Sequence, residues 1–265
     1  LPLSILASLL LCTAIVVAYA VRVVRSGRAR HARLGSSPGS ELCPGWLVEA
    51  FYSALVAPGR ALARMGIDPD ALTILGAALS IASLPLLATG RFPAGAICVG
   101  AGGALDALDG VVARARGRAS AAGAVLDSFL DRISDAAPLV GLALFYRERV
   151  GTLVIPLAAL VASSLVSYAR ARADVHGLAL PNGVMRRHER VAYLILGLLL
   201  GPVVPGPGAL RGVAYPATLA AIGVIAAGGF VAAFVLVART RAALSAAGPK
   251  PAEAPPKPSL GRAVH

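Results

Sequence analysis

Asp106, Asp109, Asp127 and Asp131 stand at the ends of two apolar segments in the stretch DALDGVVARARGRASAAGAVLDSFLD. A carboxylate there is costly unless it is paired or holds a cation. On a helix, Asp106 and Asp109 point about 60° apart, and Asp127 and Asp131 about 40° apart. Each pair lies near the same end of its segment, so a hairpin closed by RARGRASAAG brings both pairs to one depth. Four hard oxygen donors from two helices suit Mg²⁺, Mn²⁺ or Ca²⁺, and the ion in turn makes the buried carboxylates tolerable. No His or Cys stands beside them, which argues against zinc. Gly110, Ala113 and Gly123 leave room for a bulky ligand, and Arg114 is placed to neutralise a phosphate on the metal. Capping or snorkelling explains one or two aspartates at span ends, but not four in register.

The elements that must position these residues are membrane spans. A chain of 265 residues that is 57% hydrophobic and 14% charged, with a mean hydropathy of +0.76, is too apolar for an ordinary soluble domain. Segments of about twenty residues, the length a bilayer core requires, are expected at Pro2–Val24, Ala71–Thr89, Phe92–Val112, Val125–Phe145, Thr152–Tyr168, Val191–Val204 and Tyr215–Val237. Pro202 and Pro205 interrupt the sixth. With the N-terminus outside, every Lys and Arg except Arg91, Arg147, Arg149 and Arg211 falls on the cytoplasmic side, as positive-inside topology demands. The aspartates then face the cytoplasm, and the expected location is the cytoplasmic membrane. The net charge of +12 sits in membrane-proximal loops, which favours anionic lipid headgroups and phosphorylated substrates over nucleic acid.

The expected organisation is all-α: an anchor over residues 1–25, a basic linker and juxtamembrane helix over 26–68, a six-span catalytic unit over 69–242 and a Pro/Ala-rich tail over 243–265. The first span ends in Ala18-Tyr19-Ala20, yet its basic residues follow rather than precede it, so it reads as a retained anchor. Between residues 46 and 66, Trp46, Leu47, Phe51, Leu55 and Leu62 share a stripe, with Glu49, Arg60 and Arg64 off it, as in an amphipathic interfacial helix bent at Pro58. Cys12 and Cys98 lie in apolar spans and Cys43 in a loop, with no disulfide or zinc spacing. The histidines have no evident partner and read as solvated loop residues.

The run Asp106-x-x-Asp109-Gly110-x-x-Ala113-Arg114, eight residues, then Gly123-x-x-x-Asp127-x-x-x-Asp131 resembles the signature of the CDP-alcohol phosphotransferases at every fixed position. The likeness runs from about Pro69 to Arg241. It implies a metal-dependent transfer of a phosphatidyl group from CDP-diacylglycerol to an alcohol, with release of CMP. By the same resemblance Asp106, Asp109 and Asp127 hold metal. Asp131 completes a two-metal site of Mg²⁺ or Mn²⁺ and acts as general base, while Gly110, Ala113, Arg114 and Gly123 contact the nucleotide. A homodimer among membrane lipids is also implied.

Three further stretches bear on the acceptor. GIDPDALTILG is similar to the segment opening the first core span in the inositol-phosphate-using branch, where Asp70 and Thr73 would lie near the nucleotide; on residues alone it is a helix start with Asp68 as cap and Pro69 in the first turn. In DSFLDRISD, Asp135 either supports the site from behind or pairs with Arg132 or another arginine. SYARARAD and NGVMRRHERV place Arg170, Arg172, Arg186, Arg187 and Arg190 on the cytoplasmic side. The resemblance would put Arg170, Arg187 and Arg190 on the acceptor's phosphate, with Arg239 or Arg241 as a further contact. That branch often has Lys at Arg170 and Pro at His188. The glycerol-phosphate-using branch typically has an Asn-rich opening and Asp-Pro at the third aspartate, whereas here Ser128 follows Asp127. The expected acceptor is therefore inositol phosphate, with glycerol 3-phosphate as runner-up. An ion-coupled transporter is the rival from another class, but its carboxylates belong near the midplane on broken helices.

Overall fold

The computed structural model describes residues 45–118, 120–178, 183, 185–204 and 213–246, with side chains from Phe51 onward. The expected first span, the basic linker, the side chains of Trp46, Leu47 and Glu49, and the Pro/Ala-rich tail beyond Ala246 lie outside these residues, whereas residues 243–246, expected in that tail, are helical. Seven helices follow in order: α1 (Gly45–Arg64), α2 (Pro69–Ala88), α3 (Phe92–Ala115), α4 (Ala121–Phe145), α5 (Val150–Val175), α6 (Arg187–Leu200) and α7 (Pro216–Ala246). There is no strand among the described residues.

Four of these helices, α2, α3, α5 and α7, are long and apolar enough to cross a membrane. The two other expected spans differ for separate reasons. α4 has the length, at 25 residues, but carries Asp127, Asp131, Arg132 and Asp135. α6 has only 14 residues, about 21 Å of rise, short of a hydrocarbon core of about 30 Å. Conversely, α5 continues past Tyr168 to Val175 and α7 past Val237 to Ala246, so Arg170, Arg172, Arg239 and Arg241 ride on helices.

Sequence chemistry sets the ends nearest the aspartates. Asp68 caps α2, its Oδ1 accepting from the Asp70 backbone N–H at 3.1 Å, and Pro69 occupies the first turn, where its missing donor costs nothing. Past α3, Gly117 takes a left-handed φ of 63°, and the Arg118 N–H returns to the Ala113 carbonyl at 2.9 Å, which closes the helix. Ser120 then caps α4 through the Gly123 N–H at 3.0 Å. The α3–α4 hairpin is thus tight at its loop, yet its arms meet only sparsely, because α2 packs closely against both.

Small residues make that packing possible. A Cβ at Gly102 would stand 2.6 Å from Ser80 Oγ and 2.7 Å from the Gly76 carbonyl oxygen, so α2 and α3 approach nearly backbone to backbone. Gly141 gives α4 the same intimacy with α2, where a Cβ would meet the Leu84 carbonyl oxygen at 2.6 Å. At the end remote from the aspartates, Phe92 lies 4.8 Å from both Phe145 and Tyr215 by ring centroids, and Tyr146 donates to the Tyr215 carbonyl at 3.1 Å. Ile74, Ile81, Val161 and Phe234 face outward, as lipid-facing side chains do, while the bundle buries Leu87, Leu142, Leu198, Ile222 and Ile225.

These distances separate two adjacent glycines. Gly102→Ala should lower the thermal unfolding midpoint in detergent, because overpacking a backbone contact costs about 1–3 kcal/mol. At Gly103 a Cβ would meet only Val191 Cγ1, at 3.9 Å, so Gly103→Ala should leave the midpoint unchanged or raise it.

Candidate active site

Asp106 and Asp109 lie in the last three turns of α3, and Asp127 and Asp131 near the start of α4. Across the gap between the arms, Asp106, Asp109 and Asp127 each present a carboxylate oxygen, all within 4.8 Å of one another. An octahedral Mg²⁺ with ligands at about 2.1 Å places opposite oxygens about 4.2 Å apart. The three donors therefore fit a hard divalent cation held from two helices, in accord with the donor chemistry read from the sequence. Asp109, buried at 8% exposure, is fixed from behind: the Thr73 hydroxyl lies 2.6 Å from its Oδ2 and 3.1 Å from the Pro69 carbonyl. One proton faces two acceptors, and the shorter contact to the charged carboxylate is the stronger. Asp70, one turn earlier on α2, is exposed and faces the site from the other side, its Oδ1 lying 3.5 Å from the position of a Cβ on Gly123.

Asp131 occupies a different setting. Its Oδ1 lies 3.0 Å from Arg187 Nη1 but accepts no hydrogen bond of proper geometry among the described residues. The same Nη1 contacts Asp106 Oδ2 at 2.5 Å, and Arg187 Nε reaches Asp135 Oδ1 at 3.2 Å. One guanidinium from the first residue of α6 thus joins three carboxylates on α3 and α4. Asp135 is held on its other oxygen by Arg190 Nη2 at 2.7 Å, while Arg190 Nη1 donates to the Met185 carbonyl at 2.8 Å. Asp135 therefore pairs with Arg187 and Arg190, and Arg132 turns back to the Ser128 carbonyl of its own helix.

The remaining sequence candidates are distributed as follows. Gly110 and Ala113 are partly buried on α3, one and two turns toward the loop, and Arg114 is exposed beside them. Arg190 is buried at 6% exposure, with both terminal nitrogens engaged. Arg170 on α5 is partly buried and lies close enough to Arg186 that, after burial itself, its like charge is what most lowers the Arg186 pKa below the usual arginine range. Arg239 is exposed on α7. His188, expected in a loop, lies in the first turn of α6.

Two contacts escape the sequence reading. Arg116 Nη1 donates to the Gly66 and Ile67 carbonyls at 2.8 and 2.6 Å, fastening the α3–α4 loop to the turn between α1 and α2. A lone arginine in a basic loop carries no sign of such a partner. Glu189 Oε2 accepts from the Arg186 N–H at 2.8 Å, setting the start of α6. Here the signal was present, since Glu three residues after a helix start is half of a capping box.

Thr73→Val keeps the side-chain shape and removes the hydroxyl that orients Asp109. Outer partners of metal ligands commonly contribute ten- to a hundredfold to metal affinity. Manganese binding followed by the EPR signal of the free ion should weaken about tenfold in this variant; unchanged binding would mean that Asp109 needs no such support.

Comparison with known proteins bears on the whole arrangement. A model of the CDP-alcohol phosphatidyltransferase family matches residues 67–227. Phosphatidylinositol phosphate synthase of Mycobacterium tuberculosis is 39% identical over 173 residues, covering 62% of this chain and 79% of that one. Archaetidylinositol phosphate synthase of Pyrococcus horikoshii is 39% identical over 153 residues, covering 56% and 78%. The crystal structure of the mycobacterial synthase with CDP-DAG bound matches with a TM-score of 0.62 at 33% identity, over 71% of this chain and 94% of that one. The same synthase in complex with manganese and citrate matches with a TM-score of 0.62 at 33% identity, over 71% and 88%. The aspartate signature, the helical bundle that converges it and these matches lead to one conclusion: the chain belongs to the CDP-alcohol phosphatidyltransferase family.

Proposed function

We propose that this protein transfers the phosphatidyl group of CDP-diacylglycerol to inositol phosphate, giving phosphatidylinositol phosphate and CMP. The observation that carries the acceptor assignment is the cationic neighbourhood beside the aspartates. Arg170 and Arg186 stand close enough to repel, and Arg187 is adjacent on the same turn. Like charges held together at the edge of an apolar bundle suit a ligand that brings the opposite charge. The relatives that match over most of their length are named for inositol phosphate products, which supports the same choice.

In this reading Asp106, Asp109 and Asp127 hold the divalent cation, and Asp131 contributes to a second position in a two-metal site of Mg²⁺ or Mn²⁺. The metal supplies charge neutralisation for the diphosphate and for the leaving CMP. Gly110, Ala113 and Gly123 leave room for the nucleotide, with Arg114 and Asp70 at its edges, and Thr73 acts from behind through Asp109. The acceptor hydroxyl oxygen attacks the phosphorus bearing diacylglycerol, the bond from that phosphorus to CMP breaks, and the hydroxyl proton passes to Asp131. Asp131 Oδ1 lies 3.0 Å from Arg187 Nη1, and turning Arg187 to the acceptor's phosphate frees that carboxylate to take the proton. Arg170, Arg186 and Arg187 hold the acceptor's phosphate, Arg190 keeps Asp135 and the start of α6 in place, and Arg239 adds positive charge at the rim.

Membrane placement follows from the same reading. Val125–Phe145 on α4 and Val191–Val204, extended by its flank in α6, complete six crossings with α2, α3, α5 and α7, the aspartates of α4 turned to the interior. α1 lies along the cytoplasmic surface of the cell membrane.

Purified protein with Mn²⁺ or Mg²⁺ and CDP-diacylglycerol should release CMP when given inositol phosphate, and much less when given glycerol 3-phosphate, inositol or serine. Release with glycerol 3-phosphate alone would replace the acceptor while keeping the chemistry; no release with any of the four would remove the transferase reading for these substrates. Asp131→Asn should bind CDP-diacylglycerol within about twofold of the parent and lose turnover by a factor of about a hundred or more, the usual range for an acid–base group.

A further inference from the structure

We infer that Arg187 couples the divalent cation to the acceptor anion, so that each tightens the binding of the other. This rests on the reading of a phosphorylated acceptor given above, but its first consequence concerns the metal alone. The guanidinium of Arg187 lies against Asp106 at 2.5 Å and Asp131 at 3.0 Å. Asp106 is one of the three carboxylates that converge within 4.8 Å, so a divalent cation there and the Arg187 guanidinium draw on the same negative charge. Two cations on one carboxylate repel, and at partial burial that repulsion is poorly screened: Arg187 is 26% exposed, Asp106 24% and Asp131 20%. The pairing of Arg187 with Asp106 therefore opposes metal binding.

The alternative partner of Arg187 in this scheme is the acceptor's phosphate. Arg186 precedes Arg187 in the chain and feels the like charge of Arg170, so an anion drawn to those two groups would come to the N-terminus of α6, where Arg187 stands. A guanidinium presents five donors in a fixed fork and can exchange one oxyanion for another without losing its charge. When a phosphate engages Arg187, Asp106 and Asp131 are relieved of a competing cation and the metal binds more tightly. Reciprocity of linkage requires the metal to favour the anion by the same factor. Asp135 supplies the pivot: it contacts Arg187 through Nε rather than through the shared Nη1, and Arg190 fixes its second oxygen at 2.7 Å. Arg187 can thus release Asp106 while staying tethered. It is a positioning residue in this scheme, acting on the metal through Asp106.

Manganese binding by free-ion EPR, on the full chain in detergent and without nucleotide, tests the coupling. With no anion present, Arg187→Gln should bind Mn²⁺ at least about fivefold more tightly than the parent, the low end of typical coupling. Arg172→Gln removes an exposed charge from the same end of the bundle and should change binding less than about twofold. Inositol phosphate, and inorganic phosphate to a lesser extent, should tighten Mn²⁺ binding to the parent, inositol should not, and the effect should shrink in Arg187→Gln. A merely structural arginine gives the opposite sign, since its loss would loosen the aspartates and weaken the metal; Mn²⁺ binding equal to or weaker than the parent's overturns the inference. If Arg187→Gln does not purify as a folded protein, Arg187→Met takes its place. Its unbranched side chain also removes the charge, and the same tightening is expected, with equal or weaker binding again decisive. Tightened Mn²⁺ binding together with no CMP release from inositol phosphate would remove the proposed acceptor and leave this role of Arg187 standing.

Discussion

The structure depends on the convergence of carboxylates inside an apolar bundle. Three oxygens from Asp106, Asp109 and Asp127 within 4.8 Å repel one another and have been taken largely out of water, so the surrounding elements must supply positive charge and donors or the helices would part. The answer comes in layers. The Thr73 hydroxyl orients the most buried aspartate, the guanidinium of Arg187 joins Asp106 to Asp131 and Asp135, and Arg190 secures Asp135 in turn. The first layer comes from α2 and the other two from α6, so the charge problem of α3 and α4 recruits both of those helices.

The same constraint accounts for the glycines. For α3 and α4 to bring their aspartates together while keeping a space between the arms, a third helix must hold both at fixed separation. α2 does so through near backbone contacts at Gly102 and Gly141. Side chains of ordinary size at those positions would push α2 outward and change the spacing of the aspartates, so backbone packing one turn before Asp106 and further along α4 fixes their geometry.

The sequence made the aspartates legible because helical spacing converts directly into direction and depth. The end of α2 was legible too, since Asp68 and Pro69 act locally. The long-range pairing was less so. Asp135 and Arg190 lie 55 positions apart, and nothing in either segment names the other; only the packing of α6 across α3 and α4 brings them together. Arg190, which the resemblance would put on the acceptor's phosphate, instead donates to the Met185 carbonyl and to Asp135. Hydropathy located the apolar segments but says nothing of where a helix stops: α5 and α7 run on past them, because charged residues continue a helix beyond the point where hydropathy falls.

The aromatic knot of Phe92, Phe145, Tyr146 and Tyr215 gives the bundle a stopper at the end away from the aspartates. Its rings come from the start of α3, the end of α4 and the residue before α7, so the bundle keeps its two chemistries apart: aromatic packing ties the helices together at one end, and carboxylates and arginines share the other.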